Sequence, residues 1–196
     1  PEEKEETHLF SLSSDVFGRM LRKTSFAASR DADQYFLNGV HLSLRNGVSE
    51  GNGMPALERS EGMVRTAATD GKRLAVAETM VDEAIEKDTG VIIPNRAVGE
   101  IRKLAANAEV VKIGFQNNRI IFSFASLKDD IAVGDTTLVS ALIEGNYPDY
   151  ERAIPAQTSI NLKVDTGRLI QAVRRMAQVA NPKMPYVMIE AKGSNP

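Results

Sequence analysis

The sequence contains no cysteine among its 196 residues. This absence excludes a disulfide scaffold, a thiolate metal site and a cysteine nucleophile, and it is compatible with a reducing compartment. The sequence also lacks a run of about 18 to 20 apolar residues, the length that a membrane helix needs, and its acidic start, PEEKEETH, is unlike a basic signal peptide. We therefore expect a cytoplasmic protein that neither spans a membrane nor carries a secretion signal at this end.

Aromatic residues are also few, at 6% of the chain, whereas 42% of the residues are hydrophobic and 26% are charged. That balance is typical of a folded globular protein and argues against intrinsic disorder or a fibrous repeat. The length suits one medium domain, or one domain with part of another. Because the chain begins with Pro1 and ends directly after a strand-like run, we expect it to be a fragment or a processed chain.

Residues that form catalytic or metal centres are scarce. His8 and His41 are the only histidines, and no Ser-His-Asp grouping or nucleophile elbow can be assembled. Gly71 and Lys72 resemble the end of a phosphate-binding loop, but the preceding glycine is too distant and Arg73 stands where a Ser or Thr would bind magnesium. The sequence thus predicts no cofactor, no metal and no catalytic residue.

Positive charge is concentrated in three segments with helical periodicity, although the whole chain carries a formal net charge of −2. The segments cover residues 15–30, 95–106 and 165–180, and each begins with Asp or Asn, which favours an N-cap. Together they hold ten Lys and Arg residues against three Asp and Glu, so they carry +7 and the remainder carries −9. A single such helix would be a solvated face, but three with the same bias indicate a positive surface that faces a polyanion.

The same order of elements recurs along the chain. Each predicted helix follows a strand-like run and precedes further strands, so a unit of one strand, one helix and about three strands repeats roughly every 70 to 80 residues. Two units are complete and a third is partial. Pairing two units predicts an α+β domain of two layers, with helices on one face and antiparallel sheets on the other. We expect residues 1–153 to form this domain and residues 154–196 to begin another.

Three connections are also predicted from composition. Residues 46–62 have no period and are rich in Gly, Asn and Glu, so they predict a long exposed hairpin loop. Residues 70–73, Asp-Gly-Lys-Arg, separate two strand-like runs and indicate a turn. Asn38 and Gly39 fit a tight hairpin turn, but the pattern alone leaves this open.

Several motifs together resemble one known family, the bacterial DNA polymerase III beta sliding clamps. The segments that carry the resemblance are QYFLNGVHL (34–42), TAATDGKRLAVAE (66–78), VIIPNRAVGEIRKL (91–104) and IEGNYPDYERAIP (143–155). In order and spacing they are similar to the middle domain of that family, and residues 157–196 are similar to the first part of its C-terminal domain. The resemblance implies a sliding-clamp fold and a non-enzymatic processivity factor. It further implies a ring of two subunits that encircles duplex DNA without sequence preference.

The resemblance also implies partners and sites. A pocket would receive short linear motifs of the DNA polymerase, the clamp loader and other clients, and Ala153 is smaller than the branched residue common there. The matching pocket residues are Leu37, Thr69, Gly71, Lys72, Arg73, Leu74, Pro148, Arg152 and Ala153. Basic helix residues would line the hole of the ring, beside an exposed aromatic pair. The residues expected to face DNA are Arg19, Arg22, Lys23, Arg30, Gln34, Tyr35, Phe36, Arg96, Arg102, Lys103, Arg168, Arg174 and Arg175. Such a protein would associate with the bacterial nucleoid during replication.

Alternatives remain open at this point. The residues Asp70, Lys72 and Arg73 also fit a small enzyme domain that binds an anionic substrate, although a turn explains them without chemistry. Ordinary core packing is the alternative to a pocket for Leu37 and Leu74, and strand packing is the alternative for Phe36.

Overall fold

The computed structural model describes residues 9–46, 62–83, 85, 88–128, 131–155, 162–180 and 186–190. The chain divides into two compact units, Pro1–Tyr150 and Glu151–Pro196. The strands of the first unit are β1 (Leu9–Ser13), β2 (Gly39–Asn46), β3 (Gly62–Thr69), β4 (Leu74–Val81), β5 (Thr89–Pro94), β6 (Val110–Gln116), β7 (Arg119–Lys128) and β8 (Ile131–Ala141). Its helices are α1 (Ser14–Thr24) and α2 (Asn95–Ala105), and the second unit contains α3 (Thr166–Val179).

The two repeats of the first unit exchange their first strands. Both sheets are antiparallel and four-stranded, in the orders β1-β6-β7-β8 and β4-β3-β2-β5. The first strand of each repeat therefore leaves its own repeat and completes the sheet of the other, since β1 pairs with β6 and β5 pairs with β2. The predicted α+β class and the order of strand, helix and three strands are confirmed, and the exchange of strands is an additional feature.

One continuous core joins the helices to strands of both sheets. The apolar residues of each helix recur at three-to-four spacing, which places Phe17 and Leu21 of α1 and Val98 and Ile101 of α2 on buried faces. The Phe17 ring stacks on the Phe122 ring of β7, with 5.9 Å between the centroids. Burial of these apolar side chains is the main force that holds the exchanged strands and the helices together.

The first helix is shorter than the predicted segment of residues 15–30. It ends at Thr24 and continues only as a 3-10 turn, Ser25–Ala27. Beyond this turn the Ser29 backbone N–H donates to the Leu37 oxygen at 3.0 Å, and the Ser29 hydroxyl accepts from a backbone N–H at 3.1 Å. Ser forms such local bonds in place of a helical ladder. The prediction is therefore wrong from residue 25 onward, and the buried residues there belong to an irregular segment.

Only one of the three predicted N-caps is confirmed. The Asp165 carboxylate accepts the backbone N–H of Arg168 at 2.8 Å and caps α3. The helix α1 begins one residue before Asp15, which lies in the first turn, and α2 begins at Asn95 itself. Asp15 still stabilises α1, because a negative charge interacts favourably with a helix N-terminus.

The long loop predicted at residues 46–62 connects two paired strands. Asn46 and Gly62 lie opposite each other in the β2–β3 ladder, so the connection is a hairpin. Residues 47–61 lie outside the described residues.

Asn38 and Gly39 do not form a hairpin turn. Asn38 follows a 3-10 helix, Ala32–Leu37, and Gly39 begins β2. A Cβ atom at Gly39 would collide with the backbone oxygen of Ile93 on β5. The glycine therefore allows the backbones of two strands to approach closely, which is a use of glycine within sheets.

The second unit has an amphipathic helix with exposed apolar residues. Leu169, Ile170 and Met176 of α3 are all exposed. None of the helices in the described ranges combines the length and hydropathy that a bilayer span requires.

Candidate functional site

A basic groove lies between α1 and α2 in the first unit. It has a volume of about 570 Å³, and Arg19, Arg22, Arg102 and Lys103 line it. The Arg19 and Lys103 cations each pair with a carboxylate of their own helix, at 3.3 and 2.9 Å. Within the described part of the chain, Arg22 and Arg102 have no carboxylate partner. Two helices from different repeats thus present their cations to one open space.

Five further basic residues that were predicted to face DNA are exposed. Lys23 lies in the last turn of α1 and Arg96 near the start of α2. Arg168, Arg174 and Arg175 are exposed on α3, within the second unit. Within the first unit the structure therefore brings together four of the predicted DNA-facing cations, and these five are also exposed.

The predicted aromatic pair lies in the 3-10 helix Ala32–Leu37. Tyr35 is 57% exposed and packs edge-on against the half-buried Phe36, with 5.7 Å between the ring centroids. Arg30 and Gln34, from the same region, line a cavity of about 590 Å³. Lys72 and Arg73 line this cavity as well, so it adjoins both groups of predicted site residues.

Residues 70–73 form the predicted turn between β3 and β4. The Asp70 carboxylate accepts the backbone N–H groups of Lys72 and Arg73 at 3.0 and 3.1 Å and pairs with the Arg73 Nε at 3.0 Å. Gly71 adopts a φ of +82°, which favours glycine. The Thr69 hydroxyl accepts the Gly71 N–H at 3.0 Å and donates to the Arg73 oxygen at 2.7 Å. The turn is thus fixed by side chains from its own ends.

The bonds within the turn lead to a prediction about acid. The backbone N–H of Lys72, together with the Arg73 backbone and guanidinium, holds the pKa of Asp70 below its ordinary value of 3.8. Because folding lowers this pKa, the stabilisation is present above the ordinary value and is lost as the pH falls through the lowered one. An NMR titration should therefore give an Asp70 midpoint below 3.8, with the Lys72 amide following the same midpoint. A midpoint at or above the ordinary value would contradict this geometry.

The structure places the apolar pocket residues in different environments. Leu37 is buried, Leu74 is half-buried at the start of β4, and Pro148 is exposed. The cavity lined by Lys72 and Arg73 is not lined by these three residues. Leu74 and Pro148 are nevertheless accessible to a client peptide, whereas the buried Leu37 is not accessible in this conformation.

Arg152 and Ala153 belong to a 3-10 helix, Tyr150–Ala153, and both are exposed. They lie at the beginning of the second unit.

Some residues around the turn are absent from the sequence-based prediction. The Arg73 guanidinium lies 5.7 Å from the centroid of the Phe26 ring, in a cation–π contact. The His41 ring stacks on Tyr147 at 4.8 Å, and Tyr150 packs edge-on against both rings. Tyr147 and Tyr150 flank Pro148 in the IEGNYPDY segment, so the proximity of two aromatic residues to a predicted pocket residue was the available signal.

Most of the first unit matches a known protein family in sequence. Residues 11–149 match the model of the family described as DNA polymerase III beta subunit, central domain. The beta sliding clamp of Caulobacter vibrioides (strain NA1000 / CB15N) is 33% identical over 172 residues, which cover 87% of this chain and 41% of the relative. The beta sliding clamp of Rickettsia bellii is 30% identical over 189 residues, covering 94% and 43%. The chain therefore spans about two-fifths of the length of these relatives.

Solved structures of similar proteins have the same fold. The C. crescentus beta sliding clamp aligns with a TM-score of 0.70 at 30% identity, covering 92% of this chain and 43% of that one. A sliding clamp from Bartonella birtlesii, solved bound to griselimycin, aligns with a TM-score of 0.71 at 29% identity, covering 90% and 42%. A pair of helices packed on two sheets, each completed by a strand from the other repeat, thus defines a sliding-clamp domain. The chain belongs to the DNA polymerase III beta subunit family, and residues 11–149 match its central domain.

Proposed function

We propose that this chain is part of a processivity factor that encircles duplex DNA and tethers the replicative polymerase and other clients to it. The observation that carries the proposal is the groove in which cations from α1 and α2 face one open space. Membership in the beta subunit family supports it. The whole protein would form a ring of two subunits in the bacterial cytoplasm, associated with the nucleoid during replication, and would have no catalytic activity.

In this proposal the chain spans parts of two domains of the ring subunit. Residues 1–153 would be the middle domain and residues 154–196 the start of the C-terminal domain. The compact unit that ends at Tyr150 supports this division.

The groove suits contact with phosphates and not with bases. Arginine on a helix face binds the sugar-phosphate backbone electrostatically, and such contacts carry no sequence information. Arg22 and Arg102 have exposed cations and no carboxylate partner within the described residues, so no ion pair has to break before either meets a phosphate. A protein that slides along DNA needs contacts of this kind.

The client pocket would be built around the turn at residues 70–73 and the segment at Pro148. The half-buried Leu74 and the exposed Pro148 offer apolar walls, and Arg73 offers a polar edge. Short linear motifs bind by placing apolar side chains against such walls, with polar groups fixing their direction.

The enzyme alternative has no supporting observation. Both carboxylate oxygens of Asp70 bond within the turn, to the backbone of Lys72 and to Arg73. The three residues are therefore explained by the local geometry, without a substrate.

A charge reversal tests the DNA-facing assignment. In the intact protein, the double variant Arg22→Glu/Arg102→Glu should bind DNA more weakly. The slope of log affinity against log salt should become less negative by about 2 for each subunit that contacts DNA, since two phosphate contacts are lost. DNA binding measured across a salt series, together with the length of primer extension by the polymerase, would detect both effects.

The matched control changes the net charge equally but on a different surface. Lys112 of β6 and Arg119 of β7 are exposed, and each is next in sequence to a buried Ile, so they lie on the outer face of their sheet. The variant Lys112→Glu/Arg119→Glu should keep the wild-type slope. Equal losses in both double variants would indicate an effect of net charge alone and would contradict the groove.

A further inference from the structure

The backbone at the end of β3 has a partner far away in the sequence. The last β2–β3 pair at this end joins His41 to Ala67, two residues before Thr69. The Thr69 N–H therefore lies beyond the last residue pair between β2 and β3. It donates to the Tyr147 hydroxyl at 3.0 Å. This bond joins the strand that enters the 70–73 turn to the segment that immediately precedes Pro148.

Thr69 in turn controls the shape of the turn. Its hydroxyl bonds to both the Gly71 N–H and the Arg73 oxygen, at 3.0 and 2.7 Å. A shift of the Thr69 backbone would therefore move the turn as a unit. Leu74, the first residue of β4, pairs directly with Thr69 and would move with it.

The Tyr147 side chain is itself held in place. Its ring stacks on His41 at 4.8 Å with an interplanar angle of 11°, and the Tyr150 ring packs edge-on at 6.1 Å. Burial raises the pKa of Tyr147 to about 12, so the phenol stays neutral at physiological pH. A ring held from two sides gives the hydroxyl a fixed position, which a surface tyrosine would not have.

We propose that Tyr147 is a positioning residue for the client pocket, because its hydroxyl fixes the 70–73 turn, through Thr69, against the segment that carries Pro148. The inference rests on the proposed function of that pocket. The two segments come from different repeats and are separated by 78 residues in sequence at this bond. The direct hydrogen bond between them sets the distance between two walls of the pocket before any client arrives. A preformed cavity avoids the cost of ordering it during binding.

The test removes the hydroxyl and keeps the ring. In the intact protein, Tyr147→Phe should raise the dissociation constant of a fluorescein-labelled peptide from a replicative polymerase subunit by about three- to tenfold, the usual effect of one lost hydrogen bond. Amide hydrogen exchange at Thr69 and Gly71 should accelerate in the same variant without any peptide. Thermal melts accompany both measurements, and the wild type must first bind the peptide.

A matched control is available three residues away. Tyr150 packs against the same rings, but within the described residues its hydroxyl makes no hydrogen bond to the turn. Tyr150→Phe should leave the peptide affinity and the exchange of the two turn amides unchanged. A second test is a double-mutant cycle with Thr69→Val, whose effect on affinity should not add to that of Tyr147→Phe, since both act on one network.

The outcomes separate the two proposals. Wild-type peptide affinity in a folded Tyr147→Phe variant would overturn the positioning role. A further variant, Tyr147→Leu, removes the ring as well as the hydroxyl, and weak binding in this variant alone would assign Tyr147 to packing. Failure of the wild type to bind any client peptide would overturn the pocket itself, and the positioning role with it. If Tyr147→Phe does not fold, wild-type peptide affinity in a folded Thr69→Val variant would overturn the role, because the pocket would then not depend on the network that fixes the turn.

Discussion

Replacing Leu74 with Lys should weaken binding of a client peptide by at least about 30-fold, or roughly 2 kcal/mol. Leu74 is half-buried at the first position of β4, directly after the turn, so part of its side chain faces solvent. A lysine there would place a cation where an apolar side chain of the client must sit, and both burial and desolvation would oppose binding. Peptide titration against the intact wild-type and variant proteins measures this loss.

The same strand provides a control for this substitution. Met80 lies six residues after Leu74, hence on the same face of β4, and is 47% exposed. Met80→Lys should therefore bind the peptide like the wild type. Retained binding by a folded Leu74→Lys protein would eliminate the pocket, whereas an unfolded Leu74→Lys protein would assign Leu74 to the core.

Truncating Phe17 to Ala should lower the free energy of unfolding by about 3–5 kcal/mol, the usual cost for a fully buried phenylalanine. The Phe17 side chain is wholly buried and stacks on Phe122, within the core that joins helices to both sheets. The surrounding strands cannot collapse into the space, because exchanged strands fix the sheets on either side. Urea denaturation of the intact protein, followed by circular dichroism, measures the change.

Phe26 is the control for this second substitution, since it is 61% exposed and lies in the same stretch of sequence. Phe26→Ala should change the free energy of unfolding by less than about 1 kcal/mol, because little apolar surface is uncovered. Similar losses for Phe17→Ala and Phe26→Ala would mean that the core is not organised around α1 as described.

Much of the fold follows from sequence patterns, but the pairing of strands does not. Alternation of apolar and polar residues predicts which side of a strand is buried, and helical periodicity predicts α1 and α2. Neither pattern says which strand lies next to which. A tandem repeat suggests that the strands of each repeat form a sheet of their own. Instead, β1 and β5 each join the sheet of the other repeat. Which strands pair with each other depends on how the whole domain packs, so strand pairing cannot be predicted from a short stretch of sequence.

The same limit applies to the candidate site. The turn at residues 70–73 is predictable because Asp and Gly have strong local preferences for turns. The bond from Thr69 to Tyr147 has no local signature, since it depends on a distant segment returning to the end of β3. The contact of Phe26 with Arg73 was not predicted from the sequence for another reason. Its neighbours continue the helical period of α1, although the helix ends at Thr24.

The exchange of strands also governs the order in which a nascent chain can fold. Leu9 of β1 lies opposite Gly114 of β6, so β1 has no strand of this sheet to join until β6 has been synthesised. The first repeat likewise stays incomplete until β5, from the second repeat, pairs with β2. Contacts of such long sequence separation form slowly and leave unpaired edges exposed meanwhile. We therefore expect both repeats to become protease-resistant together, after β5 and β6 have been made, and not one after the other.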